Sequence, residues 1–204
     1  LKQAVKVDNT KADAVSAWTE ESEGIYKASY TAHLIGDKLT AQLTMPGWQT
    51  KHSDAFSIVG DKDTAKIAAM QITANNAVAR RDHNTVAVTV RDVHQNLLQG
   101  QNVTFTVVNG AAVFADPNGG IVTTDKDGIA SVNLASDQAV NSLIKAETNG
   151  SSQSVEVSFI TGDISQLTST IKTDDVSYTA GGKIKVSVTL MDEQKNLVKG
   201  MASL

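Results

Sequence analysis

Apolar and polar side chains alternate with period two through most of this chain. Val86, Val88 and Val90 alternate with Ala87, Thr89 and Arg91, and Ile184, Val186, Val188 and Leu190 do the same between polar neighbours. The phase continues at Val103, Phe105 and Val107, at Ala130, Val132 and Leu134, and at Val155, Val157 and Phe159. Nearer the start it falls on Tyr26, Ala28 and Tyr30, then on Leu39, Ala41 and Leu43. Successive side chains of a strand point to opposite faces, so this pattern predicts antiparallel strands with one face packed and one face wet. Turn chemistry separates them at Asn109-Gly110, Asn118-Gly119-Gly120, Asp127-Gly128 and Asn149-Gly150. About seven short strands in roughly 100 residues predicts an all-β fold of immunoglobulin-like β-sandwiches, and no segment carries a helical period.

The pattern also repeats. Val86, Val88, Asp92, Asn96, Leu97 and Gly100 recur as Val186, Val188, Asp192, Asn196, Leu197 and Gly200, a period of 100 residues. That is the length of a small domain rather than of a solenoid repeat. A weaker echo sets Gly24-Ile25-Tyr26 against Gly128-Ile129-Ala130, Leu39-Thr40-Ala41 against Ile144-Lys145-Ala146, and Gly60-Asp61 against Gly162-Asp163. The expected organisation is a partial module over 1–62 (its C-terminal part), a complete module over 63–162 and a partial module over 163–204 (its N-terminal part). Linkers at Asp61-Lys62-Asp63 and Gly162-Asp163-Ile164 are short enough to restrict bending, so the modules are expected in tandem along a rod.

Composition narrows this picture. With no cysteine there is no disulfide framework and no thiolate-ligated metal, so apolar packing alone must join the two sheets. Four Phe, two Trp and three Tyr leave the core to Val, Ile, Leu and Ala. Eighteen basic against 22 acidic residues give a net charge of −4, too weak and of the wrong sign to bind nucleic acid. No apolar run approaches the ~20 residues of a helical membrane span, and Leu1 opens no signal peptide; the chain is expected to be a piece of something longer.

The stretch Thr123-Thr124-Asp125-Lys126-Asp127-Gly128-Ile129-Ala130-Ser131-Val132-Asn133-Leu134 resembles the central motif of bacterial Ig-like domains of the Big-1 type. Val103 to Gly110 ahead of it, and Asp92 to Gly100 before that, match the same pattern in the same order. Those domains form the extracellular arms of intimin/invasin-family adhesins. Trp18-Thr19-Glu20 followed by Gly24-Ile25-Tyr26 resembles a subtype found in very long enterobacterial surface adhesins. The resemblance implies a bacterial cell-surface location, anchoring in the outer membrane by a barrel outside this fragment, and a host cell-surface or extracellular-matrix receptor as partner. The receptor-binding region of such proteins is associated with a far C-terminal lectin-like part, and no motif for it is visible here.

Catalytic chemistry is not indicated. His33, His52, His83 and His94 show no ligand spacing and read as surface loop histidines. Asp125-Lys126-Asp127-Gly128 starts like a calcium loop but lacks the third acidic position and the distal Glu, so a tight turn is the expectation. Asp61, Asp63, Asp92 and Asp163 near the junctions raise calcium as an alternative to plain capping of a linker. Asp174-Asp175 and Asp192-Glu193 are adjacent carboxylates on opposite strand faces, not an acid/base couple, and Arg80-Arg81 and Lys183/Lys185 are too few for a nucleic-acid groove. Ala180-Gly181-Gly182-Lys183 lacks the flanking residues of a phosphate loop. No enzyme, cofactor or metal site is therefore expected.

The candidate ligand-binding residues are Trp48, in the loop Met45-Pro46-Gly47-Trp48, and His52 just beyond it. An exposed Trp is a natural binding anchor; the alternative is that Trp48 folds back to close the sandwich end. The functional expectation is a stalk region that spaces and presents an adhesive surface for attachment to host cells. The alternatives are direct binding of a host ligand by one of these modules, and a carbohydrate-binding accessory module of a secreted enzyme. A half sandwich exposes sheet edges and an apolar face, so inter-chain or inter-segment completion of the two partial modules is a further expectation, with an interruption of chain order as its alternative.

Overall fold

The computed structural model describes residues 1–12 and 15–201; the last residues of the partial module expected over 163–204, 202–204, lie outside the described residues. The described residues contain no α-helix, and the chain divides into two compact units. One comprises Leu1–Ala65 with Arg91–Leu98, the other Lys66–Val90 with Gln99–Leu204.

The second unit holds a closed two-layer sandwich. One sheet has the order β10 (Lys66–Ala74), β12 (Asn84–Arg91), β16 (Ile129–Ser136), β14 (Ala112–Phe114). The other runs β11 (Ala77–Val78), β18 (Ser151–Ile160), β17 (Asn141–Thr148), β13 (Asn102–Asn109), β15 (Ile121–Thr123). The alternation seen in sequence is the alternation of burial. Val86, Val88, Ala130, Val132 and Leu134 face inward from one sheet, and Val103, Phe105, Ile144, Ala146, Val157 and Phe159 from the other. Val107 and Val155 share that phase but lie only half-buried.

The chain passes repeatedly between the two layers, and the first crossing follows β10. After β10 the backbone turns at Asn76, with φ of 59°, and continues as β11 in the opposite sheet, parallel to β18 in the register Ala77↔Phe159 and Val78↔Ile160. The buried Asn84 carboxamide pins the crossing. Its oxygen accepts the Ala77 N–H at 3.0 Å and its nitrogen donates to the Ser158 carbonyl at 2.8 Å. A buried amide with both ends partnered escapes the desolvation cost of an orphaned polar group.

Beyond this sandwich, β19 (Thr170–Thr173) and β20 (Val186–Thr189) pair antiparallel with Ile171 opposite Val188. Val186 and Val188 are 57% and 59% exposed, whereas Val86 and Val88, one period earlier, are 0% and 1% exposed. The strand pattern is the same; what differs is the covering layer.

The first unit is built from short strands. These are β1 (Val5–Val7), β2 (Thr10–Lys11), β3 (Thr19–Ser22), β4 (Ile25–Lys27), β5 (Thr31–Ala32), β6 (Gly36–Leu39), β7 (Ala41–Leu43), β8 (Lys51–His52) and β9 (Phe56–Ile58). They associate as β1-β7-β8 and as the pairs β2-β5, β3-β4 and β6-β9. Leu39, Ala41 and Leu43 are half-buried as their phase predicts, but Ile25 and Tyr26 are exposed, because β4 pairs only with β3 while its sequence echo β16 is flanked on both sides. Asp61-Lys62-Asp63, expected as plain linker, belongs to a 3₁₀ turn at Lys62–Thr64 that the Asp61 carboxylate caps through the Asp63 N–H.

Candidate functional site

Trp48 sits at the tip of the β7–β8 hairpin. The pairing Gln42↔His52 and Leu43↔Lys51 brings the strands together, and the Trp48 N–H closes a turn on the Met45 carbonyl at 3.0 Å. Pro46 presets the first corner, and Gly47, with φ of 77°, occupies the left-handed corner that a residue with a side chain disfavours. The indole ends 60% exposed rather than folded over a core edge. His52 lies on the same hairpin, exposed, with Nδ1 3.5 Å from the Thr40 hydroxyl. The hairpin thus presents an aromatic ring and an imidazole to solvent, with no catalytic group hydrogen-bonded between them.

Two loops 100 residues apart form a second kind of site. In the first unit Asp92 accepts the His94 and Asn96 N–H groups on Oδ1, both at 2.9 Å. Its Oδ2 takes the Asn96 carboxamide at 2.9 Å and the Asp61 N–H at 3.3 Å. Asn96 then reaches out of the loop, donating to the His33 carbonyl and accepting from the Ile35 N–H, both at 3.0 Å. In the second unit Asp192 Oδ1 accepts the Asn196 N–H, Oδ2 accepts the Asn196 carboxamide at 2.8 Å and the Gly162 N–H at 2.7 Å, and Asn196 donates to the Ala79 carbonyl at 3.0 Å.

The electrostatics of the two loops match. Burial acts to raise each carboxyl, but the hydrogen bonds it receives outweigh burial, so Asp92 and Asp192 both titrate below the ordinary carboxylate range. The donors are the Asn96 side chain with the Asn96, Asp61 and His94 backbone in one loop, and the Asn196 side chain with the Gly162, Asn196 and Gln194 backbone in the other. The sequence displayed these residues only as shared markers of a repeat; that Asp and Asn persist where neighbouring loop residues change was the available signal.

The remaining sequence candidates resolve into structural roles. Asp125 accepts the Asp127 and Ile129 N–H groups on one oxygen, both at 2.9 Å, and Gly128 takes φ of 67°, which makes the turn into β16. Among the described residues no three His, Asp or Glu side chains gather as metal ligands. Arg80 and Arg81 diverge: Arg80 donates to the Asp137 and Gln194 carbonyls, and Arg81 pairs with Asp82. Asp174 is held below the ordinary carboxylate range by the Tyr178 hydroxyl, and Asp192 is buried while Glu193 is exposed, so neither adjacent pair is an acid/base couple.

The histidines depart from expectation in one respect. His33 and His94, 61 positions apart, meet edge to face with ring centroids 5.1 Å apart, and both are half-buried rather than free on loops. Linear spacing could not reveal a pair made by tertiary contact.

Residues 67–160 match the family "Bacterial Ig-like domain (group 1)". Over 203 residues the chain is 32% identical to the inverse autotransporter adhesin YeeJ of Escherichia coli K12, which covers 97% of this chain and only 9% of that protein. Among solved structures, the Escherichia coli adhesin FdeC superposes with a TM-score of 0.61 at 18% identity over 94% of this chain and 62% of its own. Invasin, described as a bacterial integrin-binding protein, superposes with a TM-score of 0.50 at 19% identity over 87% of this chain and 36% of its own. At these identities the two structures speak to the fold alone.

Proposed function

Since the chain belongs to the intimin/invasin family of adhesins with group 1 bacterial Ig-like domains, a non-enzymatic family of outer-membrane-anchored surface proteins, we propose that it is a stalk segment. In that role it spaces and presents the adhesive surface of a longer protein for attachment to host cells, and it lies outside the cell with the anchoring barrel elsewhere in that protein. The supporting observation is the 66–160 sandwich, whose two inner faces saturate one another and so need no ligand to complete the core. The same reading makes 1–62 and 163–204 parts of further modules, with the exposed face of Val186 and Val188 covered by strands of another segment or chain.

Replacing this segment, in the surface-displayed protein, by unrelated Ig-like modules of equal length tests the proposal. Host-cell attachment is expected to survive the exchange, and the purified 204-residue chain is expected not to bind host cells. Attachment lost on exchange, together with binding by the purified chain, overturns it.

A second reading is favoured by the exposed indole of Trp48: the β7–β8 hairpin binds a host ligand directly, with His52 beside it. Trp48→Ala is then expected to abolish binding of the purified chain while leaving its thermal unfolding unchanged. Equal binding by the variant and the parent chain removes this reading.

A further inference from the structure

We propose that the loop Asp-x-x-x-Asn-Leu-x-x-Gly is a joint element, whose binding partner is the linker and the preceding segment of the array, and that it turns a flexible connection into a fixed one. The proposal deepens the stalk reading and rests on it for its biological meaning.

Three observations carry it. The first is that the loop's polar groups act outside the loop. A loop that only stabilised itself would satisfy Asp from its own backbone and leave the Asn carboxamide to water. Instead Oδ2 of Asp192 takes the Gly162 N–H at the linker, and Asn196 divides its amide hydrogens between Asp192 and the Ala79 carbonyl, 117 positions away. Asp192 and Asn196 are both buried, so these bonds are made away from solvent, where an unmade bond is costly.

The second is that the arrangement occurs twice. Asp92 and Asn96 repeat the internal bonds to within about a tenth of an ångström, and Asp61 at the other linker stands where Gly162 does. Gln95 and Lys195 both take positive φ, at 70° and 63°, and each donates its N–H to the Asp carbonyl at 3.0 Å. The Asp half is therefore invariant. The Asn half adapts, using the His33 carbonyl in one unit and the Ala79 carbonyl in the other.

The third is that each loop is held by further contacts, apolar packing in one and additional hydrogen bonds in the other. A Cβ on Gly60 would come within 2.4 Å of the Leu98 side chain, which is fully buried against that linker. In the second unit Ile164 bridges to Asp192, the Thr168 hydroxyl donates to the Asp192 carbonyl at 2.7 Å, and Arg80 reaches the Gln194 carbonyl at 3.1 Å. Such a set holds both sides of the linker, so residues Asp163 and Ile164 cannot swivel without breaking several bonds at once.

Double electron–electron resonance on the 204-residue chain tests this. The chain has no cysteine, so nitroxides at Thr106→Cys on β13 and Lys172→Cys on β19 report one distance across the Gly162 linker. The parent chain is expected to give a narrow distribution. Asn196→Ala is expected to broaden it about twofold, because unclamped neighbouring domains move by default. Asn96→Ala, the same residue in the other loop, is expected to leave it unchanged while circular dichroism shows the sandwich folded in all three. An unbroadened distribution in Asn196→Ala overturns the proposal, and so does equal broadening in Asn96→Ala. Failure of the stalk reading would instead appear in the attachment assay and leave these widths untouched.

Discussion

Replacing Leu134 by alanine removes the side chain at the middle of the sandwich. Leu134 is fully buried, with Asn84 of β12 and Phe114 of β14 as its neighbours across the sheet. Three methylene equivalents leave the core, about 2.4 kcal/mol at ~0.8 kcal/mol each. A flanked strand relaxes little, so most of the void remains, and Leu→Ala changes of this kind cost about 3–5 kcal/mol in all. A sandwich of this size has about 5–14 kcal/mol to lose. At roughly 4–8 °C per kcal/mol, the melting temperature should fall by about 12–40 °C. The assay follows from where the chromophores lie. Trp18 and Trp48 are both in the first unit, so tryptophan fluorescence follows that unit, and the far-ultraviolet dichroism transition with no counterpart in fluorescence is that of the other unit, which holds the sandwich. A dichroism midpoint that moves by less than about 4 °C, the equivalent of about 1 kcal/mol or less and below the range of buried-leucine truncations, would refute the placement of Leu134 in a rigid core.

Other outcomes follow from the same geometry. Asn84→Ala strands the Ala77 N–H and the Ser158 carbonyl, and urea unfolding should show a loss of about 1–3 kcal/mol. Gly110→Ala should be far worse than Gly150→Ala in a thermal scan: both positions have positive φ, but the new Cβ at 110 meets Asn141 backbone oxygen at 2.4 Å, whereas at 150 it meets open space. The Asp192 carboxyl titrates below its ordinary value of 3.8, so the stability it confers is present above that pH and is lost as pH falls through the lowered value. An acid titration of the melting temperature should therefore show a steep fall below about pH 4 that Asp192→Asn makes shallower.

Much of the sandwich was legible because its determinants are local. The alternation at Val86, Val88, Val90 and at Ala130, Val132, Leu134 names the buried face directly, and Asp127-Gly128 marks its turn. The crossing from β10 to β11 was not legible, since it depends on Asn84 reaching Ser158, 74 positions away. The first unit obeys the same period-two rule at Leu39, Ala41 and Leu43, yet burial there is shallower because periodicity reports which face an opposing layer would cover, not whether one is present. The candidate site divides likewise. Turn residues placed Trp48 on a loop, and only the structure separated an exposed indole from a capping one. Asp92 and Asn96 were visible as a repeat, while their reach to Asp61 and His33 is tertiary.

The parallel pairing of β11 with β18 also sets how the sandwich meets tension. Strands near the entry and the exit of the module lie side by side and point the same way, through Ala77↔Phe159 and Val78↔Ile160, with the Ala79 N–H adding a bond to the Ile160 carbonyl at 3.0 Å. A pull that draws the two ends of the module apart slides these strands along each other. Their hydrogen bonds are then loaded together in shear and must break at once, instead of opening one after another as an antiparallel hairpin unzips. Resistance to forced unfolding is a matter of rate rather than of equilibrium stability. In a module wired in this way, the direction of one short strand bears on its resistance to extension.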